Sequence, residues 1–294
     1  MSEINIFQKN VNLFVIVAAM AGASSVIFIR VIEMNPVSMG FYRLGFSILM
    51  FAVPVLSGGY KGYKGLTGKD VGPCVIAGLL LFCHFYCWFA AVKNTSIASA
   101  SVLFSLHPLV VLFVTVVILK QKVKFRSVIG ILIILTGGAI IAGGDHSFAG
   151  SYTFGNIMAF MSAVFFGSYF IIGRALRAKM PLLNYVFLVF GVCWLFFAAA
   201  MFVTRTPFTG YTMEDFLWVF GMAIVCQITA HVLYNWCVRL ASSLYVSVWA
   251  SLDPVFATLF GIIFFLEIPA IWQCVGGAIA ISGLIYYNYN EEKV

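Results

Sequence analysis

Ser105-Leu106-His107-Pro108-Leu109 and Ser251-Leu252-Asp253-Pro254-Val255 stand 146 positions apart, each in the middle of a long apolar run. Proline has no N–H and clashes with the carbonyl four residues earlier, so each stretch interrupts a helix and frees a carbonyl, that of Phe104 in one case and Ala250 in the other. Two interruptions of the same make at one spacing read as two copies of one unit. The same offset pairs Val92 with Val238, Ser96 with Ser242, Ser101 with Ser247, Val102 with Val248, Gly130 with Gly276, Ile133 with Ile279 and Gly137 with Gly283. An offset of 145 pairs Gly22 with Gly167 and Pro36 with Pro181.

Composition says what the unit is made of. The 294 residues are 63% hydrophobic and 9% charged, with a mean hydropathy of +1.05, whereas soluble domains carry about 25% charged residues. A membrane-crossing helix needs roughly 20 mainly apolar residues. Ten such runs are present: 11–29, 36–57, 71–92, 98–119, 127–144, 152–173, 182–204, 216–238, 244–266 and 268–289. Lipid offers no partner to backbone polar groups, and runs this long without alternation fit helices rather than barrel strands. The first run lacks a basic leader and continues past Gly22-Ala23-Ser24, so it reads as a retained helix rather than a cleaved signal.

Five runs per copy is an odd number, so the second copy enters the membrane from the opposite side. The expected architecture is all-α integral membrane, with ten transmembrane helices as two inverted five-helix repeats, 1–147 and 148–294, forming one integrated transmembrane domain. Inverted repeats let two similar halves exchange conformations around a midplane site, which is how secondary transporters alternate access.

Basic residues orient the bundle. With the N-terminus inside, one face carries Lys9, Lys61, Lys64, Lys69, Lys120, Lys122, Lys124, Arg126, Arg174, Arg177, Lys179, Arg239 and Lys293, and the other only Arg30, Lys93 and Arg205. Basic loops stay cytoplasmic, so both termini are expected in the cytoplasm and the protein in the cytoplasmic membrane. That asymmetry accounts for the net charge of +7 without a nucleic-acid partner. All seven cysteines fall within the spans, which argues against a disulfide framework. Cys83, His84 and Cys87 lack an adjacent fourth ligand and read as core residues rather than a metal site. No Walker loop is present to drive transport with ATP, no filter-like repeat suggests a channel, and no cofactor is implied.

Charged and imidazole groups within spans are the candidate site. Asp253 falls near the middle of its run, where a carboxylate costs about 2.5 to 3.5 kcal/mol. Its helical neighbours are Trp249 at i−4 and Tyr245 at i−8, one stripe, giving a wall of an acid and two aromatic faces suited to an amine. The alternatives for Asp253 are an internal ion pair with Arg43 or a protonated histidine, and a proton-coupling role. Arg43, seven residues into its run, is either snorkelled or paired, or it binds an anion. His107 is the repeat partner of Asp253, while His84 with Trp88, and Gln227 with His231, form i, i+4 pairs. Trp88, Tyr234, Asn235 and Trp236, near span ends, also fit an interfacial belt.

These features resemble the drug/metabolite transporter superfamily, and within it the ten-helix EamA-type branch. The resemblance rests on the five-plus-five spans, Arg43, and the segment from Leu252-Asp253-Pro254-Val255 through Glu267 to Gly276-Gly277 and Gly283. The chain departs from that pattern at Asp253, where glutamate is expected, at Leu266, where glycine is usual, and at Gln121 in the first half. The resemblance implies secondary transport of a small organic metabolite through a cavity lined chiefly by spans 1, 3, 4, 6, 8 and 9, with spans 5 and 10 peripheral. The expected function is alternating-access carriage of an amino acid, amine or related compound, driven by its own gradient or by protons. The competing classes are an intramembrane enzyme or a membrane sensor built on the buried histidine, aspartate and cysteine residues.

Overall fold

The structure is a computed structural model that describes residues 11–63, 68–144, 153–266, 268 and 270–290. The two termini, the 147/148 boundary between the expected repeats, and Glu267 lie outside the described residues. Among the described residues the regular structure is helical throughout, and eight helices are long and apolar enough to cross a membrane. They are α1 (Val11–Val31), α2 (Pro36–Leu56), α3 (Gly68–Asn94), α4 (Ile97–Ile118), α6 (Thr153–Arg177), α7 (Leu182–Val203), α8 (Met213–Leu240) and α9 (Ser243–Phe265). Two further apolar helices complete the set, α5 (Phe125–Gly144) and α10 (Ile271–Asn290).

Helix ends follow local chemistry. Asn35 accepts hydrogen bonds from the amides of Val37 and Ser38, and Pro36 opens α2 where its missing N–H costs nothing. Thr212 and Asp215 form a reciprocal capping box at the start of α8. Ser96 caps α4 through the Ser99 amide, and Ser242, its partner 146 residues on, caps α9 through the Tyr245 amide.

The two interrupted helices break alike. Within α4, helix Ile97–Phe104 stops at Ser105-Leu106 and resumes as His107–Phe113; within α9, Ser243–Ala250 stops at Ser251-Leu252 and resumes as Asp253–Phe265. The prolines therefore do not kink continuous helices. Each stands in the first turn of a new half-helix, where its lack of an N–H is harmless. Ser105 Oγ donates to the Val102 carbonyl and Ser251 Oγ to the Val248 carbonyl, so the same hydroxyl closes the same turn in both.

Two long pairings dominate the packing, α5 with α10 and α3 with α6. Glycine makes the first possible. A Cβ on Gly137 would stand 2.4 Å from the Gly276 carbonyl oxygen, and one on Gly283 would stand 2.9 Å from the Gly130 carbonyl oxygen. The two contacts interchange under the 146-residue offset. Other pairings behave likewise: α3 and α4 pack on α6 as α8 and α9 pack on α1, and α2 meets α7. At the helix ends, Arg30 donates to the Thr95 carbonyl and Arg174 to the Ala241 carbonyl, again at positions 146 apart on the acceptor side.

Candidate functional site

Where α1, α2, α3, α4, α6, α8 and α9 converge, the bundle encloses a hollow lined by Gly22, Ser25, Arg43, His84, Phe85, Trp88, Phe104, Phe166, Cys226, His231, Tyr234 and Asp253. Neither α5 nor α10 contributes. The hollow measures about 30 Å³, room for about two water molecules. Its polar groups are nearly sealed from solvent: Arg43 is 1% exposed, Asp253 4% and His231 6%.

Arg43 does not snorkel to the interface. Its Nε donates to Gln227 Oε1 at 2.9 Å, and its guanidinium carbon sits 4.3 Å from the centroid of the Phe85 ring. Gln227 belongs to a π-helical stretch of α8, Ala223–His231, that widens the helix where it meets the hollow. Asp253 opens the second half-helix of α9, whose N-terminal dipole favours a carboxylate there. Its neighbour across the break of α4 is Ser101. Asp253 Oδ2, Ser101 Oγ, Gln227 Nε2 and His231 Nδ1 have no hydrogen-bond partner among the described residues. Each such orphan costs on the order of 1–3 kcal/mol. Arg43 and Asp253 share the hollow without forming an ion pair.

Other candidates tie helices together. Trp88, 4% exposed, donates from Nε1 to Ser25 Oγ at 2.9 Å, which makes it a wall of the hollow rather than a belt residue. His84 Nδ1 lies 2.8 Å from Ser162 Oγ and joins α3 to α6. His107 is fully buried, with Nδ1 2.9 Å from the Phe104 carbonyl oxygen and Nε2 3.0 Å from that of Ser247. One of those carbonyls is the acceptor freed at the break of α4. A neutral imidazole carries one N–H and satisfies one of the two; a doubly protonated ring satisfies both.

Tyr245 and Trp249 are not brought to the hollow. The break at Ser251-Leu252 ends the stripe that an unbroken helix would give them with Asp253, and Tyr245 instead donates to Asn12 Oδ1 on α1. The aromatic wall is built by Phe85, Trp88, Phe104, Phe166 and Tyr234. With 30 phenylalanines in the chain, the three that line the hollow carry no distinguishing signal in sequence. Among the described residues no group of three or more His, Cys, Asp or Glu could hold a metal, and Cys83 is only half-buried.

Polar side chains from five helices and phenylalanines from two more on a buried hollow, within a bundle of membrane-length helices, are the build of a multi-pass membrane transporter. The comparisons with known proteins agree. Residues 9–143 and 153–289 each match the EamA-like transporter family. The chain belongs to that family. An uncharacterized transporter of Archaeoglobus fulgidus is 26% identical over 270 residues, spanning 89% of this chain and 91% of the relative. The uncharacterized transporter YxxF of Bacillus subtilis is 24% identical over 230 residues, spanning 78% and 73%. A protein of known crystal structure shares the fold with a TM-score of 0.72 at 18% identity, over 96% of this chain and 97% of that one. Family and relatives point to a transporter rather than to an enzyme.

Proposed function

We propose that the chain is an alternating-access carrier of small zwitterions, amino acids first among them, across the cytoplasmic membrane. The observation that carries this reading is that Arg43 and Asp253 face one buried hollow, each with its charge unpaired by the other. A molecule with a carboxylate and an ammonium complements both, and it gives partners to His231 Nδ1 and Asp253 Oδ2. The aromatic wall adds cation–π attraction for the ammonium end. At about 30 Å³ the hollow does not admit such a molecule as it stands, so this arrangement corresponds to an occluded conformation in which helices part to load and release.

Two inverted repeats, 1–147 and 148–294, are the proposed basis of that movement. The reciprocal glycine contacts of α5 and α10, the paired serine caps and the twin helix breaks all support an exchange of halves about an axis through the hollow. With ten spans and both termini cytoplasmic, the Arg30–Thr95 and Arg174–Ala241 bonds fall on opposite faces and tie down the two ends. Lys93, which donates to the Ile32 and Met34 carbonyls, strengthens one end, and Arg177, bonded to the Asn235 carbonyl, the other. The driving force is the substrate's own gradient or a proton, for which His107 is the proposed carrier. A proton there lets the ring hold the carbonyls of both broken helices at once.

A thermal-shift screen on purified protein, covering amino acids, the matching amines and carboxylates, and nucleobases, tests the substrate class. Stabilisation by amino acids and its loss in Asp253→Asn and Arg43→Gln are expected. Stabilisation by nucleobases alone would overturn the zwitterion reading.

A further inference from the structure

A second, larger recess lies away from the polar hollow, between α9 and α10 and against the break of α4. It measures about 330 Å³, and Val255, Leu259, Ile262, Gly277 and Ile281 form most of its wall. Three hydroxyl-bearing residues line it, Ser105, Ser251 and Thr258, and the hydroxyls of the two serines are already engaged with carbonyls of their own helices. The wall therefore offers hydrocarbon and asks for no polar ligand. Apolar recesses of about 150 Å³ already take up a benzene-sized guest in preference to water, and this one is about twice that.

The recess opens sideways. Leu259 and Ile281 at its edge are 47% and 38% exposed, and they continue into the exposed apolar faces of Ile263, Phe264, Val275 and Ile285. On helices that cross a membrane, that face meets acyl chains. The Ile97–Phe104 part of α4 packs on α5, whereas among the described residues neither part of α9 packs closely on α10. A gap held open within hydrocarbon needs filling, because its walls otherwise lose their dispersion contacts.

We propose that this groove seats one acyl chain of a bilayer phospholipid, inserted between α9 and α10 against Pro254 and the Ser251-Leu252 break. The lipid is then a wedge beside the broken helix that carries Asp253. This proposal does not depend on the identity of the transported substrate.

The test uses the full-length protein in vesicles containing phosphatidylcholine with a diazirine at mid-chain, followed by photolysis and peptide mapping. Adducts are expected severalfold enriched on 255–262 and 274–281 over more exposed helix faces such as those bearing Leu132 and Leu195. A Cβ on Gly277 meets no atom within 4 Å, so Gly277→Leu fills the groove without disturbing backbone and is expected to abolish the enrichment. Thr258→Phe fills it from the opposite wall and repeats the result if the first variant folds poorly. Adducts that follow exposure alone, enrichment unchanged in both variants, or protein–protein rather than lipid adducts at these positions would each overturn the proposal.

Discussion

Arg43 is held by one side-chain bond, from Nε to Gln227, and by the face of Phe85. Arg43 also lines the hollow, so in the proposed carrier Gln227 is a positioning residue. Gln227→Leu is expected to weaken substrate binding about tenfold, the equivalent of about 1.4 kcal/mol, while Arg43→Gln abolishes it; calorimetric titration separates the two. Asp253→Asn is expected to fold normally and fail in transport, since it removes the charge and leaves the shape. His107→Leu removes the ring beside the Phe104 carbonyl, while the Ser247 carbonyl keeps the Ser251 amide as donor, and it is expected to lower stability by about 1–3 kcal/mol for the one carbonyl left bare, read as an earlier thermal transition. The polar members of the site were legible from sequence because a charge or an imidazole in a membrane span is an anomaly. The aromatic members were not, since Phe85, Phe104 and Phe166 differ from their many neighbours only in direction. Helical spacing puts Tyr245 and Trp249 on the stripe of Asp253, but the break at Ser251-Leu252 turns the second half-helix away from it.

Glycines and serines rather than prolines govern how the elements fit. At Gly137 an added methyl would meet the Gly276 carbonyl at 2.4 Å and the Ala280 amide at 2.6 Å, and backbone atoms cannot turn aside as side chains do. Gly137→Ala is therefore expected to force α5 from α10 and cost about 1–3 kcal/mol, whereas Gly277→Ala, which meets open space, leaves the thermal transition where it is. The same contrast would be lost if the α5–α10 contact were absent in solution. Sequence located the helices to within a few residues, because hydropathy alone sets where a chain can cross lipid. It placed each break at a proline, but the turn precedes it, since Ser105 and Ser251 bond back to carbonyls three residues earlier and stop the helix first. The π-helical stretch Ala223–His231, which carries Cys226 and His231 to the hollow and Gln227 to Arg43, has no periodicity signature in an already uniformly apolar run.

At the scale of the whole molecule, a sealed polar hollow stands between two halves whose contacts interchange under one sequence offset. In the alternating-access movement proposed above, a second conformation is reached by exchanging the packing of the halves, with the peripheral α5–α10 pair fixed while α1, α3, α4, α6, α8 and α9 rearrange around Arg43 and Asp253. The offset of 146 could be read from prolines, glycines and serines, residues whose roles are conformational; the apolar positions between them diverge freely because lipid and loose packing accept any hydrocarbon. The most direct test of the central claim is exchange of radiolabelled substrate in proteoliposomes, comparing an amino acid with its decarboxylated amine and its deaminated acid. Saturable exchange of the amino acid, lost in both Asp253→Asn and Arg43→Gln and absent for either singly charged analogue, is the predicted result. Exchange that proceeds equally well with the amine, or that survives in both variants, would contradict the account.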